Sequence, residues 1–252
     1  MTVYVTKRAI SEASEGIPGR TSPICEVWVS TTGGGPDFSA SLLNRVESER
    51  LSTFHHEIDR RRFLAGCAMA RLFISDKDGV DPQGVEIDRT CPRCGGPHGK
   101  PRAVASSWQY SVSHSGRYVI LAFCRDIPVG VDIEIVTASN HPRETWFAVL
   151  TPAEVSTVLA TEPDRQQEAF LRYWTRKEAV LKCLGTGLTV EPRLLEVSGP
   201  AEVPAVLRWP QDLSEAAAVS VSDLNFLPDH VTALAVQGPP VAIQAFDVSP
   251  TT

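Results

Sequence analysis

The chain has 252 residues, 42% hydrophobic and 21% charged, with 24 Lys and Arg against 30 Asp and Glu and a formal net charge of −6. These are the proportions of a soluble globular protein long enough to bury a core without disulfides or metals. The acidic balance argues against coating nucleic acid or an anionic membrane, though a local basic pocket is allowed, and no apolar run approaches the ~18–20 residues of a bilayer-spanning helix.

Taken in chain order, Met1 to Arg8 lack the apolar centre of a signal peptide. Cys25, Cys67, Cys91, Cys94, Cys124 and Cys183 are scattered except for one Cys-x-x-Cys pair, which suits thiols in a cytosolic protein better than a disulfide frame. Val3 to Val5 and Ile24 to Val29 read as short strands, separated by the polar stretch from Ser11 to Pro23, and Gly33 to Pro36 reads as a loop. From Ser39 to Ile74 apolar residues such as Leu42, Val46, Leu51, Phe54, Ile58, Met69 and Phe73 recur at three- and four-residue spacings, predicting two helices joined near His56. The segment from Cys91 to Pro101 must be loop.

Tyr110 to Ser113, Tyr118 to Phe123 and Val129 to Val136 predict three antiparallel strands, because their connections are too short for helical crossovers. Thr151-Pro152-Ala153-Glu154 opens a helix as N-cap, first-turn proline and capping-box acid. A second helix is predicted from about Arg165 to Leu184, stopped by Gly185-Thr186-Gly187. Short strands follow at Leu195 to Ser198, Val206 to Trp209, Val219 to Ser222 and Val231 to Val236, and the Pro-rich tail beyond Gly238 reads as frayed. Tyr110 to Ala122 and Ala218 to Ala235 share a strand–strand pattern, hinting at two similar halves that meet near residue 128.

Several clusters could carry chemistry. In Val129 to Ile135 the odd positions are Val or Ile and the even ones are Gly130, Asp132 and Glu134, so a strand would bury one face and project both carboxylates from the other. Two acids at i and i+2 suit either solvent or a hard cation such as Mg²⁺. Trp174, Glu178 and Lys182 share one helix face, where Glu178 and Lys182 also fit an ordinary surface pair. Lys100 in a glycine-flanked turn, with Ser113-His114-Ser115-Gly116, supplies donors for phosphate oxygens, or alternatively a hairpin turn with hydroxyl caps. No Gly-x-Ser-x-Gly elbow accompanies that serine, which argues against a Ser/His hydrolase. Cys91, Cys94 and His98 have the local spacing of half a zinc site but lack a nearby fourth ligand, and a metal-free loop is the competing reading.

Gly99-Lys100-Pro101, Ser113-His114-Ser115-Gly116, Val129-Gly130-Val131-Asp132-Ile133-Glu134 and Trp174-Thr175-Arg176-Lys177-Glu178-Ala179 with Lys182, in this order and at these separations, resemble the Sfp-type 4′-phosphopantetheinyl transferases. The resemblance is densest from Gly99 to Leu188, and the helical block from Arg62 to Arg71 matches loosely. It implies an α+β fold of two similar, pseudo-twofold subdomains, 1–128 and 129–252, each a small antiparallel sheet packed on a long helix, with the active site at their junction. It also implies Mg²⁺-dependent transfer of the phosphopantetheine arm of coenzyme A to a serine of an apo acyl or peptidyl carrier protein, releasing adenosine 3′,5′-bisphosphate.

On that resemblance Asp132, Glu134 and Glu178 hold the Mg²⁺. Glu178 takes the serine proton directly or through a metal-bound water, and Lys182 offsets charge at the diphosphate. Arg62, Arg50, Lys100, Pro101, Ser113 and His114 match positions at the coenzyme A phosphates and nucleotide. The chain departs from the family where Ser111 stands in place of a frequent Asn, and where Cys67 stands in place of an arginine carried by some relatives. The Trp and Ala of the Trp174 to Ala179 motif resemble the subgroup serving polyketide, nonribosomal peptide and sometimes fatty-acid carriers, and the resemblance suggests a monomer. Two rivals stay open: a zinc-stabilised carrier-binding module built on Cys91, Cys94 and His98, and a Mg²⁺-dependent phosphohydrolase using the same acids.

Overall fold

A computed structural model of the chain describes residues 5–11, 23–33, 37–136, 142–213 and 218–250. Val3, Tyr4, most of the stretch from Ser11 to Pro23, and Gly34 to Pro36, for which strand and loop were expected, lie outside the described residues. The strands and helices are β1 (Val5–Ser11), β2 (Ile24–Thr31), α1 (Arg45–Ser52), α2 (Glu57–Asp78), β3 (Ile87–Asp88), β4 (Arg102–Ala103), β5 (Trp108–Ser115), β6 (Tyr118–Arg125), β7 (Val129–Ile135), α3 (Arg143–Val149), α4 (Pro152–Ala160), α5 (Gln166–Leu184), β8 (Glu196–Val197), β9 (Val206–Arg208), β10 (Val219–Asp223), β11 (His230–Gln237) and β12 (Ala242–Pro250). The fold is α+β, in two compact units: Met1–Asp126 with Val241–Thr252, and Ile127–Pro240.

The first unit holds a five-stranded sheet in the order β1-β12-β2-β6-β5. Its core forms where α2 lies against the sheet, with Phe73 stacked on Phe123 at 3.7 Å and Trp28 edge-on to Phe73 at 5.1 Å. The two helices are joined at His56, the N-cap of α2, as the apolar spacing predicts. They are tied together by one buried acid, since Glu47 closes a capping box with Asn44 and pairs with Arg71 at 2.7 Å. Neither Glu47 nor Arg71 exceeds 3% exposure, and a buried charge so placed is tolerable only when paired.

Four expectations for this region change. The expected division at residue 128 moves, because the chain returns: β12, read from sequence as a frayed tail, lies antiparallel to β1 and parallel to β2. Inserted there, its backbone groups are bonded on both sides, which no exposed tail could achieve. The first sheet is therefore mixed rather than antiparallel. The run at Val129 does not extend the β5–β6 hairpin either, since β6 already has β2 on one edge and β5 on the other. The chain turns instead through Asp126, at φ 57°, into the second unit.

In the second unit β7 is an edge strand of the antiparallel sheet β10-β11-β7, with Asp132 opposite Ala233 and Glu134 opposite Val231. The long helix α5 packs on this sheet through a core that includes Phe170, Val180, Leu181, Ala233 and Ala235. Thr151, Pro152 and Glu154 form the predicted capping box of α4, and Gly185 ends α5 in the left-handed region at φ 75°. The helix α3 carries no comparable sequence signal and was not expected.

Gly130 sets the approach of β7 to α5. A Cβ built there would overlap the Ala179 carbonyl oxygen and the Cys183 amide nitrogen, both main-chain atoms that cannot rotate away. We expect Gly130→Ala to cost about 3 kcal/mol or more, by forcing strand and helix apart. Urea unfolding checks this, and a loss below about 1 kcal/mol would contradict the tight contact.

Candidate active site

The even-numbered residues of β7 face α5, as the position of Gly130 requires, so the two acids lie on the helix side rather than on a solvent face. Asp132 is only 4% exposed. Its Oδ1 accepts a hydrogen bond from Lys182 Nζ at 2.6 Å, and the same ammonium donates to the Val131 carbonyl at 3.3 Å. Glu134 is half-buried and accepts from Trp174 Nε1 at 3.4 Å. The sequence pairing of Glu178 with Lys182 as a local surface couple is thus revised, since the firm partner of Lys182 lies 50 residues away on β7.

Glu178 lies one turn before Lys182 on α5 and is buried. Its Oε1 is enclosed without a hydrogen-bond partner among the described residues. Desolvation first, then the negative charges of Asp132 and Glu134, push its carboxyl up to about 7 against the opposing pull of Lys182. Three carboxylates around one ammonium leave an excess of negative charge in a poorly solvated place. Such a donor set, all hard oxygen, suits Mg²⁺. The three acids are nonetheless not drawn as close as the thiol and imidazole ligands of the Cys91 loop, whose ligand atoms form the one metal-sized group found among the described residues.

Two other residues of the Trp174 to Ala179 motif have structural duties that sequence did not reveal. Arg176, 1% exposed, grips both carboxylate oxygens of Asp223 at 2.9 and 2.6 Å and donates to the carbonyls of Ser198, Gly199 and Glu202. Lys177, fully buried, pairs with Glu154 at 2.6 Å and donates to the Val149 and Pro192 carbonyls, while burial pulls its pKa below the usual lysine range. Gly130 is the positioning residue that was missed, and its signal was available: glycine inside a Val/Ile strand marks close backbone approach.

In the first unit, Arg62 donates to Asp59 at 3.0 Å and to the Gly116 carbonyl, which brings it to the turn between β5 and β6. Ser113 is buried and His114 exposed, on opposite faces of β5 just before that turn. Arg50, exposed on α1, lies over the Phe63 ring at 5.4 Å. Lys100 and Pro101 are half-buried and lead into β4. A cavity of about 780 Å³ in the second unit, lined in part by Thr157, Arg165, Glu168, Arg172 and Asn225, contains none of the predicted site residues.

Two family models match the chain: one described as the 4′-phosphopantetheinyl transferase superfamily over residues 128–235, the other as the N-terminal part of a 4′-phosphopantetheinyl transferase over residues 33–125. The 4′-phosphopantetheinyl transferase HetI of a Nostoc species is 29% identical, covering 79% of this chain and 80% of that protein. The transferase Sfp of Bacillus subtilis is 29% identical over 60% of this chain and 63% of its own length. Among solved structures, the holo-[acyl-carrier-protein] synthase of Neisseria meningitidis aligns at 24% identity with a TM-score of 0.37, covering 44% of this chain and 98% of that one.

A carboxyl group whose pKa is raised on folding favours the folded state only while it is protonated. The metal-free protein should therefore lose stability as pH rises from the ordinary carboxylate range, 4.5, toward about 7. Replacing Glu178 with the neutral isostere, Glu178→Gln, should raise stability in chelator by about 2–3 kcal/mol at pH 8 and by far less at pH 5. Urea midpoints at the two pH values check this, and an equal difference at both would contradict the buried-charge account.

Proposed function

This chain belongs to the 4′-phosphopantetheinyl transferase superfamily, and on that premise we propose that it moves the phosphopantetheine arm of coenzyme A, with Mg²⁺, onto a serine of an apo acyl or peptidyl carrier protein. The serine oxygen forms a bond to the pantetheine-side phosphorus of the diphosphate. The bond from that phosphorus to the bridging oxygen breaks, and adenosine 3′,5′-bisphosphate leaves. The observation that carries this reading is the meeting of Asp132, Glu134, Glu178 and Lys182 where β7 faces α5.

The residues present fit the cation, since the enclosed Glu178 Oε1 is a buried acceptor without a partner among the described residues and the neighbouring donors are carboxylates. Asp132, Glu134 and Glu178 would hold it. When bound, Mg²⁺ neutralises and orients the diphosphate oxygens. Glu178, directly or through a water that it holds, is our candidate acceptor for the serine proton. Lys182, partly exposed and anchored by Asp132, offsets charge on the departing phosphate.

We assign the coenzyme A phosphates and nucleotide to Arg62, Arg50, Lys100, Ser113 and His114, with Pro101 fixing the backbone beside Lys100. Arg62 donates to the Gly116 carbonyl in the β5–β6 turn, next to the end of the strand that carries Ser113 and His114, which supports that assignment. The carriers we propose are those of polyketide, nonribosomal peptide or fatty-acid synthesis, met by a monomer. A cytosolic setting is supported by the six cysteines, all free thiols.

Incubated with coenzyme A, Mg²⁺ and a panel of apo carriers, the protein should add one phosphopantetheine mass to at least one carrier. No mass shift with any of them would contradict the proposal. Asp132→Ala and Glu178→Ala should each lower the rate on the order of 10²–10³-fold with the circular dichroism spectrum retained. Near-normal turnover in either would overturn the assigned acid set.

A further inference from the structure

The loop between β3 and β4 carries a cluster that the transferase reading does not use. Cys91, Cys94 and His98 each present one ligand atom, and all of these atoms lie within 4.8 Å of one another. Cys91 is buried, while Cys94 and His98 are exposed. Cys94 Sγ and His98 Nε2 are 2.9 Å apart, in hydrogen-bond contact. Tetrahedral zinc, with bonds of about 2.3 Å to sulfur and 2.0–2.1 Å to nitrogen, spreads its ligands to separations of roughly 3.5–3.8 Å. Small movements of exposed side chains reach that spacing.

The backbone has the form such a site needs. The Gly96 amide donates to Cys94 Sγ at 3.4 Å. The Cys91 amide bonds to the Gly96 carbonyl at 2.8 Å and Gly95 returns the bond to the Cys91 carbonyl at 2.8 Å, with Gly95 at φ 72°. A Cβ on Gly96 would press on the His98 ring at 3.1 Å, and one on Gly99 would stand 2.6 Å from the Thr90 carbonyl oxygen. Gly96 thus leaves room for the Cys94 sulfur and the His98 ring, and Gly99 lets the chain pass close to the Thr90 backbone. Two soft thiolates and an imidazole select zinc over the hard magnesium expected at the carboxylates.

We propose that Cys91, Cys94 and His98 bind one zinc ion, with the fourth coordination position taken by water or another exchangeable ligand. Binding replaces the two thiol protons with the metal and releases them to solvent. The ion ties together a stretch with no α-helix or strand of its own between β3 and β4 and fixes the path of the chain into Lys100. The site does not depend on the transferase reading, and its readouts are metal content and thiol chemistry rather than transfer.

The full chain, purified without chelator or stripped and reconstituted with zinc sulfate, should hold one zinc per chain by elemental analysis. Replacing zinc with cobalt(II) should give thiolate-to-cobalt charge-transfer absorption and tetrahedral d–d bands. Cys94→Ser and His98→Ala should bring zinc below one equivalent and alter the cobalt spectrum. Should either variant fold poorly, the cobalt spectrum of the unmodified chain decides alone. No stoichiometric zinc, zinc retained equally in both variants, a cobalt spectrum lacking thiolate bands, or a Cys91–Cys94 disulfide found by mass would each overturn the proposal.

Discussion

The candidate site depends on how closely a strand can lie against a helix. At Gly130 the absence of a side chain lets β7 pack directly on the backbone of α5 at Ala179 and Cys183. Strand alternation then places Asp132 and Glu134 two and four residues further along the same face. Helix periodicity places Trp174, Glu178 and Lys182 along the facing side of α5. The residues that meet are thus fixed by two periods, one of two and one of about 3.6, crossing at a glycine. Any larger residue at position 130 would separate the acids from the lysine without changing any of those side chains.

That proximity has an electrostatic cost, and the cost explains the site's character. Asp132 is buried and tolerated because Lys182 is bonded to it. Glu178 has no comparable hydrogen-bonding partner at Oε1 among the described residues, and its acid form is favoured up to about pH 7. A fold optimised only for stability would place an amide or an apolar group there. The strain makes sense if a divalent cation and a polyanionic substrate are the missing partners, because each removes a charge imbalance the chain leaves open. Arg176 and Lys177 do the opposite work: fully paired and buried, they hold α5 against the loops around Ser198 and Val149, so that the helix face carrying Glu178 stays in place.

Much of this was legible in the sequence, for local reasons. The capping box at Thr151, the glycine stop at Gly185 and the helix break at His56 are decided within a few residues, and each appears where its chemistry requires. What was not legible depended on distant partners. The strand β12 looked like a tail because the slot between β1 and β2 that receives it is more than 200 residues away in sequence. For the acids of β7, solvent and a cation both stayed open, because alternation alone does not say which side of a strand a helix will cover. Arg176 and Lys177 resembled parts of a functional motif, and only their partners, Asp223 and Glu154, show them to be struts. The order of the motifs carried the family; the division of labour among neighbouring residues needed the fold.

We propose that the acids meeting across β7 and α5 bind a divalent cation together with coenzyme A. Calorimetric titration of coenzyme A into the protein, with and without Mg²⁺, tests it most directly when the unmodified chain is compared with Asp132→Ala. The account predicts that Mg²⁺ tightens binding in the unmodified chain and that this gain disappears in the variant. Equal strengthening by Mg²⁺ in both proteins would contradict it.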